Sequence, residues 1–181
     1  MLVVLGIGSN LGEREQYIKS AVELLAENAL TAIRISPFYE SPALLKPGAP
    51  AMWDIPYLNI AIAGETSLSA GALLKMVKTI ERRIGRACTP SGLWAPREID
   101  IDILAYGEQD IVEDGLQIPH AGLLQRDFAL LPFADLEPNW RFPVEGDAYH
   151  KTAYELSQRF EHSSTAIKLG QEQKKVSYAE A

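Results

Sequence analysis

The sequence predicts an α+β fold in which an antiparallel sheet carries helices on one face. Three observations predict it. Four segments, Leu2–Ile7, Thr31–Tyr39, Tyr57–Glu65 and Ile99–Leu104, are short apolar runs or alternate with period two. Two intervening stretches, after Glu13 and after Ser69, switch to a helical period. The resulting order is strand, helix, strand, strand, helix, strand, the split βαβ pattern.

Each element has its own reason. Leu2–Ile7 is a buried strand, broken by Gly8-Ser9-Asn10-Leu11-Gly12. From Glu13, Ile18, Ala21, Val22 and Leu25 fall on one helix face with Glu and Lys between them. Thr31–Tyr39 is read as one strand, with Ile33, Ile35 and Pro37 sharing a face and Pro37 marking an edge or an irregular end. Ser41–Pro56 holds Pro42, Pro47, Gly48, Pro50 and Pro56 and is expected as a long loop without structure of its own, the kind that serves as a lid. In Tyr57–Glu65, Leu58, Ile60 and Ile62 point one way, and Tyr57, Asn59 and Ala61 the other. Ser69 caps a helix striped by Leu73, Val77, Ile80 and Ile84, and Gly85 stops it. Ala87–Pro96 is a second Pro/Gly loop. After the strand Ile99–Leu104 come a short hairpin from Tyr106-Gly107 to Val112, a helix after Asp127 and a last helix at Thr152–Phe160. This is a ferredoxin-like βαββαβ core with a C-terminal hairpin and helices, and the sheet face away from the two core helices is left free for a ligand. Residues 1–160 are read as a single domain, and the polar stretch 161–181 as a frayed tail.

Composition narrows the function. The 181 residues are 47% hydrophobic and 23% charged, an ordinary globular balance. No apolar run approaches the roughly 20 residues of a membrane span. The apolar start lacks a basic flank and a small-residue cleavage site, so a cytoplasmic protein is expected. A net charge of −7 and a pI near 5.0 argue against a nucleic-acid partner. An anionic small molecule then requires a local convergence of basic groups or metal ions. The lone Cys88 excludes an intrachain disulfide and any multi-cysteine metal site.

The sharpest chemical signal is Pro96-Arg97-Glu98-Ile99-Asp100-Ile101-Asp102-Ile103-Leu104. Strand alternation sends Ile99, Ile101 and Ile103 into the core and puts Asp100 and Asp102 together on the opposite face. Their Cα atoms stand roughly 6.5–7 Å apart. Two like charges so placed need a positive companion. Mg²⁺ suits them, because it takes hard oxygen ligands and is usually held by one or two carboxylates plus substrate phosphates. Such a pair can also bridge two metal ions. Taken alone, a D-x-D more often describes two solvated surface aspartates. Its neighbours favour an anion: Arg86 and Arg97 bracket a loop that carries Trp94, a plausible triphosphate clamp.

Two further clusters are weaker. Pro119-His120 and Gln125-Arg126-Asp127-Phe128 supply a ring that can contact phosphate, although a lone histidine is more often structural. Tyr57 and Asn59 share a strand face, where an aromatic plane beside an amide suits a flat heterocycle, although an ordinary surface Tyr and Asn fit the pattern equally well. Gly6-Ile7-Gly8 is not a dinucleotide fingerprint, since Leu11 stands where the third glycine would fall, and no P-loop, G-x-S-x-G or H-E-x-x-H occurs.

Together these stretches resemble the 6-hydroxymethyl-7,8-dihydropterin pyrophosphokinases of folate biosynthesis. The resemblance runs from Gly8-Ser9-Asn10-Leu11 through Phe38-Tyr39-Glu40-Ser41-Pro42, Tyr57-Leu58-Asn59, Glu81 to Arg86, Trp94 to Asp102, and Pro119-His120 to Phe128. It implies an ATP-dependent diphosphotransferase. Asp100 and Asp102 would hold two Mg²⁺ on ATP, with Arg86, Arg97, Asp100 and Asp102 forming the catalytic set. Arg86, Trp94, Arg97, His120 and Arg126 would line the triphosphate, with Glu81 and Ile103 near the nucleoside. Tyr57 and Phe128 would sandwich the pterin, with Asp100 beside it. Asn59 and the backbone around Ser41 and Leu44 would read its hydrogen-bonding edge, and Asn10 would support the pocket. The two Pro/Gly loops would be lids that exclude water.

Two positions depart from the family pattern. Ser41 stands where Thr is common, and Cys88-Thr89-Pro90 stands where many members carry another basic residue, which implies fewer phosphate contacts in the second lid. The expected unit is a monomer with one activity. It has no membrane or nucleic-acid partner, and the chain has no room for the aldolase or synthase domains sometimes fused to this enzyme. Two rivals share parts of the pattern. A D-x-D transferase acting on a sugar nucleotide shares the metal logic without a stacked pterin pocket. A ferredoxin-like RNA-binding module is disfavoured by the charge and by the lack of an aromatic-rich strand.

Overall fold

Residues 1–85 and 95–170 are described in the structure, a computed structural model. The expectations placed on Arg86, Cys88, Thr89, Pro90 and Trp94, and on the tail after residue 170, lie outside the described residues.

The first strand, β1 (Leu2–Ser9), runs through the middle of the sheet. It pairs antiparallel with β4 (Tyr57–Glu65) on one side and β5 (Asp100–Tyr106) on the other. Outside β4 lie β2 (Thr31–Ile35) and β3 (Tyr39–Ser41), and a short β8 (Ile167–Lys168) completes the edge on β3. Helices α1 (Arg14–Asn28) and α2 (Ala70–Ile84) fill the two crossovers. The sequence thus gives the expected βαββαβ core, and alternation explains its packing. Leu5, Ile7, Leu58, Ile60, Ile62, Ile101 and Ile103 face α1 and α2 and meet Ile18, Val22, Leu25, Leu73, Val77 and Ile80. Each such buried side chain contributes about 1.5–3 kcal/mol. Ser69 Oγ accepts the Ala72 N–H at 3.3 Å to start α2, and Gly85 ends it at φ 125°, a backbone region glycine enters without a Cβ penalty.

Several expectations are corrected. Thr31–Tyr39 is two strands, because Ala32 takes φ 49° and shifts the β2–β4 register, and Ser36-Pro37-Phe38 interrupts the pairing. That irregularity turns Ile35 outward to 40% exposure while Ile33 packs on the core. The Ser41–Pro56 loop contains one short helical turn at Ala51–Trp53. The hairpin lies later than expected: β6 (Ile111–Glu113) pairs with β7 (Leu116–Ile118) around Asp114-Gly115. Gly115, at φ 73°, meets the need of that tight turn for a left-handed residue.

The far sheet face is only half free. Helix α3 (Asp127–Leu136) and helix α4 (Ala153–Ser157) cover one end of it, packing Leu130, Phe133 and Leu156 with Trp140 on Val4, Ala61, Ala63 and Leu104. Nor is the stretch from Glu161 frayed throughout, since Ile167 and Lys168 pair with Glu40 and Tyr39 and Leu169 N–H donates to Phe38 O at 2.8 Å.

Candidate active site

The uncovered end of that face is a cavity of about 330 Å³. Its floor is the β1 segment Gly6-Ile7-Gly8. Gly6 is the register partner of Asp102, and Gly8 is that of both Asp100 and Asn59. A side chain at either glycine would intrude on a neighbour: a Cβ at Gly6 would lie 3.2 Å from Leu104 Cδ1, and one at Gly8 3.0 Å from Asn59 Oδ1. The glycines therefore keep open the floor between the acids of β5 and the amide of β4.

Asp100 and Asp102 both line this cavity, while Ile101 and Ile103 point to the core. Arg97 Nη1 lies 3.2 Å from Asp100 Oδ2. His120 Nε2 lies 3.7 Å from Asp102 Oδ2, with its Nδ1 accepting the Gly122 N–H at 3.1 Å. Burial, then the charge of Asp100, pushes the Asp102 carboxyl above its ordinary range, against the pull of His120, Lys78 and Arg126. Burial opposes the charge on Arg97, but Asp100, Tyr57 and Asp102 outweigh it and strengthen that charge.

Across the floor, Asn59 is buried on β4. Its Nδ2 donates to Ser41 Oγ at 3.0 Å and reaches Tyr39 O and Tyr57 O at 3.4 Å each. Tyr57 and Phe128 line the same cavity, as do Leu44 and Arg126. Arg126 Cζ lies 6.0 Å from the centre of the Phe128 ring. Asn10, buried behind the site, ties three segments together. Its Oδ1 accepts Arg97 N–H at 2.8 Å, its own N–H donates to Arg97 O at 3.2 Å, and its Nδ2 donates to Ile55 O at 3.1 Å. Arg14 adds a clip to the loop exit, donating to Glu40 Oε1 and Pro56 O at 2.9 Å each.

Ser41, Leu44, Tyr57, Asn59, Arg97, Asp100, Asp102, His120, Arg126 and Phe128 thus converge on one cavity. Two do not line it. Glu81 is buried under β5, where its Oε1 accepts Ile101 N–H at 2.8 Å and Lys78 Nζ at 2.9 Å, and Ile103 is a core residue. Arg86 and Trp94 are outside the described residues. Lys78 lines the cavity but was not singled out from the sequence, where its only signal is its place one helical turn before Glu81. Among the described residues, no group of three or more His, Cys, Asp and Glu could hold a metal.

Residues 4–138 match the family described as 7,8-dihydro-6-hydroxymethylpterin-pyrophosphokinase (HPPK). The chain belongs to this family. The 2-amino-4-hydroxy-6-hydroxymethyldihydropteridine pyrophosphokinase of Aquifex aeolicus is 39% identical over 146 residues, covering 78% of this chain and 84% of that protein. The folate synthesis bifunctional protein of Chlamydia muridarum is 43% identical over 158 residues, 86% of this chain but 35% of that protein. The chain therefore spans about a third of the length of such bifunctional relatives. Among solved structures, an HPPK-DHPS in complex with substrates aligns with a TM-score of 0.66 at 13% identity, covering 92% of this chain and 47% of that one. Plasmodium falciparum HPPK-DHPS wild type with pteroate gives 0.63 at 15%, covering 88% and 44%. These likenesses establish the ferredoxin-like fold of the HPPK domain. No helix among the described residues is long and apolar enough to cross a membrane.

Proposed function

We propose that this chain transfers pyrophosphate from ATP to the hydroxymethyl group of 6-hydroxymethyl-7,8-dihydropterin and releases AMP. The observation that carries the reading is a single cavity lined both by two carboxylates, Asp100 and Asp102, and by the Asn59 amide with two aromatic residues, Tyr57 and Phe128. Family membership favours this chemistry over a sugar-nucleotide transferase or an RNA-binding module.

The donor set fits Mg²⁺. Asp100 and Asp102 are hard oxygen donors facing one space, and two carboxylates without a third suit an ion that completes its shell with water and phosphate. Two ions are proposed, held by this pair. When bound, Mg²⁺ neutralises phosphate charge that would otherwise repel the incoming oxygen. The rest of the work falls to the chain's own groups. Arg97, His120 and Arg126, with Arg86 and Trp94 from the second loop, orient the triphosphate. Tyr57 and Phe128 stack the pterin, and Asn59 with the backbone at Ser41 and Leu44 matches its donor–acceptor edge. The hydroxymethyl oxygen then bonds to the β-phosphorus of ATP as the bond from that phosphorus to the α,β-bridging oxygen breaks. AMP leaves, and the hydroxyl proton is assigned to Asp102, which lines the same cavity. Such a transfer depends chiefly on positioning and charge neutralisation. Closure of the Ser41–Pro56 loop would keep water from the phosphates. We place the protein in the cytoplasm as a monomer.

The deciding experiment is an assay for AMP release. AMP is expected only when the hydroxymethyl-dihydropterin, ATP and Mg²⁺ are all present. AMP formed without the pterin, or none in the complete mixture, overturns the reading.

A further inference from the structure

Asp127 opens α3 immediately before Phe128, yet its carboxylate faces away from the cavity and is buried. Its Oδ1 accepts Phe128 N–H at 2.7 Å. Its Oδ2 accepts four donors from a segment 37 to 39 residues later: Ser164 Oγ at 3.1 Å, Thr165 N–H at 2.5 Å, Thr165 Oγ1 at 2.9 Å and Ala166 N–H at 2.9 Å. The next two residues of that segment form β8 on β3, the strand that ends in Ser41. Lys168 Nζ also reaches both oxygens of Asp135 at 3.0 and 2.8 Å, and Asp135 Oδ2 in turn accepts the Tyr39 hydroxyl at 2.8 Å. One short segment, beyond the residues 4–138 matched by the family, therefore grips both an aromatic wall of the cavity and its polar edge.

We infer that Asp127 is a positioning residue for the pterin, tying the Ser164–Lys168 segment to Phe128 so that this ring and the Ser41–Asn59 edge keep a fixed spacing. The inference rests on the pterin reading above. Its physical basis is the short range of dispersion: a gap of about 0.5–1 Å forfeits a quarter to a half of each contact. A flat ligand held between a helix start and a strand loses affinity if either wall relaxes. On the phosphate side, β5, Arg97 and His120 have no direct bond to the segment among the hydrogen bonds described, and Arg126 alone adjoins Asp127, so phosphate affinity is expected to change less than pterin affinity.

The test uses the full chain with Asp127→Asn and Thr165→Val. Asp127→Asn sets an amide against four donors that one carboxylate oxygen now accepts, and Thr165→Val removes a single hydroxyl without changing side-chain shape. The pterin dissociation constant is read from pterin fluorescence with Mg²⁺ and a non-hydrolysable ATP analogue, and the affinity for the analogue alone by calorimetry. The expected result is a pterin constant raised about tenfold by Asp127→Asn and about threefold by Thr165→Val, with analogue affinity within about twofold of wild type. A lowered melting temperature with unchanged pterin binding would reduce Asp127 to a structural anchor and overturn the inference, as would equal weakening of both ligands. If Asp127→Asn does not fold, Thr165→Val decides alone. Failure of the wild-type chain to bind pterin overturns the functional reading instead.

Discussion

Gly8 on β1 and Asn59 on β4 are register partners so closely set that a Cβ on Gly8 would stand 3.0 Å from Asn59 Oδ1 and 3.4 Å from Tyr57 Cδ1. Space, rather than backbone conformation, requires glycine here. Gly8→Ala must push aside the Asn59 amide, which is proposed to hold the pterin beside the Tyr57 ring. Overpacking of this kind costs about 1–3 kcal/mol, so pterin affinity is expected to fall about tenfold or more while ATP-analogue affinity changes little. Parallel titrations with the two ligands check it, and pterin binding as tight as wild type would remove Asn59 from the pocket.

Asp102→Ala removes one of the two acids facing the cavity and leaves Tyr57, Asn59 and Phe128 in place. AMP release is expected to drop more than about a hundredfold, with pterin binding largely kept. Raising Mg²⁺ is not expected to restore it, because the ligand itself is gone. Turnover within about tenfold of wild type sinks the metal assignment.

What the sequence made legible was whatever obeys a local period. Ile99, Ile101 and Ile103 alternate with Asp100 and Asp102, so the core face of β5 and its acidic face followed from the pleat alone, as did Tyr57 and Asn59 on β4. Gly6 and Gly8 were legible only as a failed dinucleotide motif, and their use as a cavity floor emerged once Asp102, Asp100 and Asn59 were in register beside them. The split between β2 and β3 was hidden because Ala32, an ordinary residue, takes a left-handed conformation that only its tertiary setting fixes.

The coverage of the far face was hidden for a different reason. Helix α3, Asp-Phe-Ala-Leu-Leu-Pro-Phe-Ala-Asp-Leu, is apolar nearly all round, so its sequence says that it is buried without saying against which layer. The docking of Ser164–Lys168 had no local sign, since Asp127 and its donors are far apart in the chain and each is an unremarkable polar residue on its own.

The packing of α3 on the far sheet face gives a stability prediction. Phe133 is fully buried, with its ring 4.9 Å from that of Trp140 in an edge-to-face contact. Phe133→Ala removes the ring and leaves a cavity among Val4, Ala61 and Leu130 that this rigid layer can only partly close. The expected loss is about 3–5 kcal/mol of unfolding free energy, measured by urea denaturation. A loss under about 1 kcal/mol would mean that α3 is not packed as described.

Asp127 also makes acid stability specific. Burial opposes its charge, but the backbone N–H groups of Ala166 and Thr165, the Thr165 hydroxyl and the Phe128 N–H outweigh it and hold its carboxyl below the ordinary range. The sign follows from linkage. A group with a depressed folded-state pKa adds stability that is fully present above its unfolded value, about 3.9 for an aspartate, and is lost as the pH falls through the lower folded value. Wild type and Asp127→Asn should therefore differ most in melting temperature near neutral pH and converge as the pH is lowered below about 3.9. A gap that stays constant from neutral to strongly acid pH would show that the amide is penalised by shape alone and that the ionised carboxylate contributes nothing to anchoring Ser164–Ala166.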